Sequence, residues 1–273
     1  SLKREGSYSV PIGTETIEAS AFYKANVSNV ELPTTLSTIK SQAFMYAYNL
    51  EGIIIPNTVN NLENGIFYGC SGLETAILPN GLTSIPSNLF INCKKLKSIY
   101  LPPNITSIGS ASFGGCWVLT EVEIPSKVTT IGSKAFQNSG LKTVRCLMET
   151  PCSIESSVFS GINSDAILYV PAGCKSAYSS ADNWKNFSQI LEIGGDEPYA
   201  VFNDGTLTFY NDNNRSTREG TTYDLNIGSN IPGWYDKRTS ITKVVFDNSF
   251  STVLPVTTYY WFYGCSNLTE IQG

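Results

Sequence analysis

Residues 56–78 read PNTVNNLENGIFYGCSGLETAIL, residues 79–101 read PNGLTSIPSNLFINCKKLKSIYL, and residues 102–124 read PPNITSIGSASFGGCWVLTEVEI. The three stretches align without a gap at a period of 23 residues. Outward from them runs a phenylalanine column of Phe22, Phe44, Phe67, Phe90, Phe113, Phe136 and Phe159, spaced by 22 residues once and by 23 thereafter. Five residues before each stands Ile17, Ile39, Leu62, Ile85, Ile108, Ile131 or Ile154. Twelve residues after most of them comes a proline: Pro56, Pro79, Pro102, Pro125 and Pro171, with Pro33 one place early. Self-similarity at a fixed period is the mark of a repeat architecture, and it is read before anything else.

Each unit then reads as structure. In Leu119-Thr-Glu-Val122-Glu-Ile124-Pro125 the last residues before the proline alternate apolar and polar, the pattern of a short half-buried strand. Proline follows because it has no N–H for the next ladder bond. A unit this short cannot close a core, but stacked units bury a continuous one and touch only their neighbours. Successive strands are expected to form a parallel sheet at about 4.8 Å spacing. The Ile-x4-Phe pair is expected on the other side of each coil, in turns or short helical pieces.

The pattern L-x-x-V-x-I-P-x-x-V-x-x-I-x-x-x-A-F-x-x-C resembles the BspA-like leucine-rich repeat of bacterial surface proteins. The match is tightest at 33–136 and extends over about 1–172, with the strand at Val144-Arg145-Cys146 one residue early and about one residue inserted before Phe159. The resemblance implies a right-handed leucine-rich repeat solenoid of about seven repeats, with one parallel β-strand per repeat. Residues 173–195 are similar to the end of such arrays, where Tyr178, Trp184, Phe187 and Ile190 would cap the open core. Family members are typically exported lipoproteins or adhesins of anaerobic bacteria. The resemblance therefore implies an exported, non-enzymatic surface protein that recognises protein or glycan on host or microbial surfaces, with a lipid anchor conceivable upstream.

Beyond Gly194-Gly195-Asp196-Glu197-Pro198, which reads as a linker, the register disappears. Ala200-Val-Phe202 and Thr206–Tyr210 flank Asn203-Asp204-Gly205, a hairpin signal, and Ile241–Phe246 reads as another strand. Trp261-Phe-Tyr-Gly-Cys265-Ser-Asn-Leu268 then repeats the template of Ile66-Phe-Tyr-Gly-Cys70-Ser-Gly-Leu73. Residues 196–273 are thus expected to form a small β-rich module that ends in a partial repeat and continues past Gly273. The chain starts at Ser1 without a charged-then-apolar leader, so any targeting segment is expected to have been removed.

Composition narrows the chemistry. Of 273 residues, 41% are hydrophobic and only 15% charged, with a net charge of −5 that does not suit phosphate backbones, so no nucleic-acid partner is expected. No apolar run reaches the roughly 18 residues that span a membrane. Histidine is absent, which removes Ser-His-Asp and Cys-His catalysis and His-ligated zinc. Three of the seven cysteines, Cys70, Cys93 and Cys116, share one column with Ala25, Ala47, Ser139 and Ile162, so they read as buried packing thiols. One bridge among Cys146, Cys152 and Cys174 stays open. Glu121 and Glu123 lie on one strand face, which could hold a glycosidase-like pair but more simply makes a solvated strand surface. Asp212–Glu219 loosely resembles a calcium loop but lacks the glycine at its sixth position, and reads as a polar turn. No catalytic residue, cofactor or metal site is expected.

The candidate site is the exposed strand column: Glu31, Ile54, Ile77, Tyr100, Glu123, Arg145 and Tyr169. Ile54, Ile77 and Tyr100 would stack into an apolar stripe, with Glu31, Glu123 and Arg145 flanking it. The neighbouring outward positions Gly52, Thr75, Ser98 and Glu121 are polar or small. Such a row suits an interface. A structural spacer carrying a distal domain is the alternative, because β-branched residues also simply favour strands. A carbohydrate-active enzyme is the third.

Overall fold

The computed structural model describes residues 6–193, 198–212, 214–225, 231–253, 258 and 260–273. The chain divides into two compact units, Ser1–Ile190 and Leu191–Gly273. The linker expected at 194–198 lies, apart from Pro198, outside the described residues.

The first unit is the solenoid. Its face strands Ser7–Ser9, Asn29–Glu31, Gly52–Ile54 and Thr75–Ile77 pair in parallel, in chain order. A second group follows with Glu121–Ile124, Thr143–Cys146 and Ile167–Val170, and Gln189–Glu192 lies at its far side. Between the groups the coil Ser98–Leu101 joins the ladder only through the bridge Thr75↔Ser98, directly before the tandem Pro102-Pro103. The face is therefore two four-stranded ladders with a seam. The two register slips visible in the sequence cancel: Glu123 pairs with Arg145 at 22 residues and Arg145 with Tyr169 at 24.

The back of each coil departs from expectation. The Ile-x4-Phe segments do not begin in turns or helical pieces. Thr16–Ile17, Thr38–Ile39 and Asn61–Leu62 form one parallel three-stranded ladder, and Ser84–Ile85, Ser107–Ile108 and Thr130–Ile131 form another. In five of the six strands a Thr or Ser precedes a buried isoleucine, a pairing that suits a pleated ladder better than a helix. The phenylalanines lie in the turns that follow. Their backbone N–H groups donate to the next coil, as in Phe44 N to Ile66 O at 2.9 Å and Phe90 N to Ser112 O at 2.7 Å.

The core is a spine of rings. Phe22, Phe44, Phe67, Phe90, Phe113, Phe136 and Phe159 stack in succession at centroid distances of 4.7 to 5.7 Å. Tyr8 meets Phe22 at 5.6 Å at one end. At the other, Trp184 and Phe187 close on Phe159 at 5.5 and 5.1 Å, and Tyr178 packs edge-on against Trp184. Helix Lys175–Ser180 and the turn Trp184–Asn186 bring these rings in, burying Tyr178 and Trp184 fully. Rings that close the end of the stack are what a solenoid core needs.

The turns also explain an unusual backbone. Two residues after each ladder phenylalanine the chain is left-handed: Lys24, Tyr46, Gly69, Asn92, Gly115, Asn138 and Gly161 all have φ between 52° and 73°. Glycine and asparagine tolerate this conformation, and it costs most other residues about 1–2 kcal/mol. Tyr46 is the one aromatic residue held there.

The second unit pairs Tyr199–Asn203 with Thr206–Tyr210 as an antiparallel hairpin through Asp204 and Gly205, both at positive φ. Thr221–Asp224 adds antiparallel to the first of these strands, and Lys243–Phe246 adds in parallel to the second. Glu270–Gln272 then pairs in parallel with Lys243–Phe246. The segment between them carries Tyr260 and Gly264 at positive φ, as Gly65 and Gly69 are in the first unit. Trp234, Phe209 and Trp261 centre a separate core.

Candidate recognition face

Of the seven column residues Glu31, Ile54, Ile77, Tyr100 and Glu123 are exposed, and Arg145 and Tyr169 are partly buried. Val30, Ile53, Ala76, Ile99, Val122, Val144 and Leu168 point into the core, and their C-terminal neighbours point out. Ile54 is 65% exposed, Ile77 56% and Tyr100 63%. Ile54 lies opposite Ile77 in the ladder, and continuing the Thr75↔Ser98 register sets Tyr100 opposite Ile77. Glu31 flanks this stripe and accepts a hydrogen bond from Ser9 Oγ at 2.6 Å. The structure brings Glu31, Ile54 and Ile77 together on one sheet, with Tyr100 beside them at the seam.

The other three stand across the seam, on the second ladder. Glu123, Arg145 and Tyr169 are directly paired in register. Arg145 Nε lies 3.7 Å from Glu123, and its guanidinium lies 5.7 Å from the Tyr169 ring centre. Only about a fifth of the Arg145 side chain is exposed, so its charge is shared within the column. Beside it, burial pushes the Glu121 carboxyl above the ordinary carboxylate range. Arg145 opposes that shift and Glu123 adds to it. The apolar stripe Ile54, Ile77 and Tyr100 thus has Glu31 on one side and, across the seam, Glu123 and Arg145 on the other.

Cys70, Cys93 and Cys116 sit fully buried, each donating its thiol to the ladder phenylalanine carbonyl one coil back: Phe44 O at 3.0 Å, Phe67 O at 3.2 Å and Phe90 O at 3.2 Å. Burial pushes Cys70 and Cys116 up to about 12 and Cys146 up to about 11, which leaves little thiolate for redox or metal chemistry. Cys70, Cys93, Cys116, Cys146, Cys152 and Cys265 are free thiols. In the second unit Asp212 is committed to an ion pair with Arg218, and it accepts from Tyr199 Oη at 2.6 Å and from the Asn214 backbone at 3.0 Å. Among the described residues no group of three Asp, Glu or Cys side chains stands ready for a metal ion. No described helix is long and apolar enough to cross a membrane.

Column reading along the strands missed a second exposed surface at the edge of the sheet, where Tyr48 and Trp117 protrude from the turns. The signal was available: both stand four residues after a ladder phenylalanine.

Stacked coils of this length, with a parallel strand face, a phenylalanine spine and a capped end, define a leucine-rich repeat protein. The chain belongs to the BspA-type leucine-rich repeat family, whose profile matches residues 15–142 and 112–191 in six copies. No curated protein matches it. Among solved structures it is similar to a leucine-rich repeat protein from Bacteroides ovatus at 20% identity, covering 98% of this chain and 60% of that one, with a TM-score of 0.49. It is also similar to a leucine rich cell surface protein from Faecalibacterium prausnitzii at 16% identity, covering 99% of this chain and 88% of that one, with a TM-score of 0.47. A leucine-rich repeat protein of T. pallidum matches at 21% identity over 68% of this chain and 69% of that one, with a TM-score of 0.37. The chain thus spans about three fifths of the length of the B. ovatus protein.

Proposed function

We propose that this is an exported surface protein that recognises another protein through the strand face, non-enzymatically. The observation that carries the reading is the row Ile54, Ile77 and Tyr100, each more than half exposed, the first two paired on one ladder and the third set beside them by the bridge Thr75↔Ser98. Water gains nothing from three large apolar side chains in a row, and covering them returns roughly 25 cal/mol per Å² of apolar surface. Branched aliphatic chains on a flat sheet fit an apolar protein patch and offer few hydrogen bonds to a sugar. The pair Glu123–Arg145 across the seam orients a partner and tunes its approach more than its affinity. A spacer has no need of the exposed row.

The test is the double substitution Ile77→Arg with Tyr100→Ala. Both side chains face solvent, so the melting temperature should hold, while capture of surface proteins from host or microbial envelopes should weaken at least about tenfold, the loss of an interface hot spot. Equal capture by the variant and the natural protein rejects the strand face as the recognition surface.

A further inference from the structure

The turns that lead into the strands carry a second surface. Four residues after the ladder phenylalanine, successive coils bear Asn26, Tyr48, Ser71, Lys94 and Trp117. Tyr48 is 51% exposed and Trp117 59%. Two coils lie between them, a separation of three strand spacings or roughly 14 Å. Around Tyr48 the aromatic surface widens. Tyr46 stacks on it at 5.7 Å between centroids, and Tyr23 and Tyr68 meet Tyr46 edge-on at 6.0 and 5.4 Å. At the far end Lys94 Nζ stands 4.3 Å from the Trp117 ring centre.

This surface is built. Tyr46 occupies a left-handed position, φ 61°, that the next coil fills with Gly69. A Cβ on Gly69 would collide with the Tyr46 ring, so the glycine makes room for it. Beside Tyr48 opens a cleft of about 390 Å³ whose wall includes Asn26, Asn49, Glu51, Gly72 and Lys95. Asn49 Nδ2 donates to Asn26 Oδ1 on the preceding coil.

We propose that this edge binds a glycan chain, with pyranose rings laid on Tyr48 and Trp117 and their hydroxyls met by Asn49, Glu51 and Lys95. A pyranose has apolar C–H faces, whose partial positive charge suits the negative face of an aromatic ring, and a hydroxyl edge that both donates and accepts. The edge supplies both halves: separated ring platforms, and amide, carboxylate and ammonium groups between them. A phosphate or sulfate ligand fits less well, because Lys95 lies 3.9 Å from Glu74 and Glu51 shares its cleft. An apolar peptide would find Ser71 and Gly72 between the rings instead of a groove. The proposal stands apart from the strand-face reading, since the two use different residues.

Titration calorimetry with cellohexaose, maltohexaose, mannohexaose and chitohexaose tests it on the full chain. At least one hexaose is expected to bind with a Kd between about 10 µM and 1 mM, in the range of weak specific ligands. Tyr48→Ala and Trp117→Ala should each weaken that binding by about tenfold or more with an unchanged melting temperature, as loss of a ring anchor does. Ile77→Arg should leave it unchanged, which separates this site from the strand face. Absence of saturable heat from all four sugars overturns the proposal. So does sugar binding indifferent to both ring substitutions. Protein capture that depends on Tyr48 without any sugar binding overturns it too.

Discussion

Glu121 shows how a single side chain records its surroundings. Burial leads the rise of its carboxyl above the ordinary range, Glu123 contributes to the rise, and Arg145 works against it. A carboxyl that is easier to protonate in the folded state favours folding below its unfolded pKa, and that contribution is lost as pH rises through the raised folded value. Glu121→Gln should therefore leave the melting temperature unchanged near pH 3 and raise it at pH 7, because the amide never has to hold the charge. Arg145 retains Glu123 at 3.7 Å, so the substitution does not strand a cation. Thermal melts at both pH values check this, and a drop at pH 7 would show that Arg145 outweighs burial. The thiols give a second residue-scale expectation. Cys70, Cys93, Cys116 and Cys146 are buried, and Cys152, Cys174 and Cys265 are partly exposed. A disulfide reagent should label the latter three quickly in the native protein and all seven in denaturant; fewer than seven would reveal a bridge.

The element that carries the fold is the coil, and its weight depends on having a neighbour on each side. Phe113 is fully buried and stacked between Phe90 at 5.7 Å and Phe136 at 5.3 Å, whereas Phe22 is partly exposed and lies at the end of the spine. Phe113→Ala should cost about 3–5 kcal/mol, on the order of 10 °C in melting temperature, and Phe22→Ala clearly less. Equal losses would contradict nearest-neighbour stacking. This spine was legible in the sequence because one aromatic residue at a fixed period leaves no other arrangement of coils. The face strands were legible too, since inward and outward residues alternate and proline ends each run. The back ladders were not: Thr38–Ile39 or Ser84–Ile85 is two residues long, too short for any periodicity to show. The seam was hidden because Ser98–Leu101 has the same strand pattern as its neighbours, and only the pairing distinguishes it. The column residues of the candidate face were found by alternation. The turn residues Tyr48 and Trp117 were not legible as a surface, because turns are normally polar and have no strand alternation to mark an outward column.

At the scale of the whole molecule the chain keeps two sets of books on its apolar surface. The solenoid core runs from Val10 to Trp184, and the core of the second unit runs from Ala200 to Trp261, with no residue in common. Within the second unit Trp234 is fully buried, meets Phe209 edge-on at 5.4 Å and donates its indole N–H to the Trp261 carbonyl at 2.9 Å. Trp261 belongs to the segment where the repeat template returns, so this one indole ties the hairpin to the resumed coil. Cooperativity extends as far as shared burial does, and units with separate cores unfold as separate transitions. Calorimetry of the full chain should then resolve two transitions. Trp234→Ala should lower one of them by an amount typical of a large core truncation, about 3–5 kcal/mol, and leave the other in place. Phe113→Ala should do the reverse. A single transition that moves with either substitution would mean that the two cores melt as one, and the division at residue 190 would then describe the packing of the chain but not its stability.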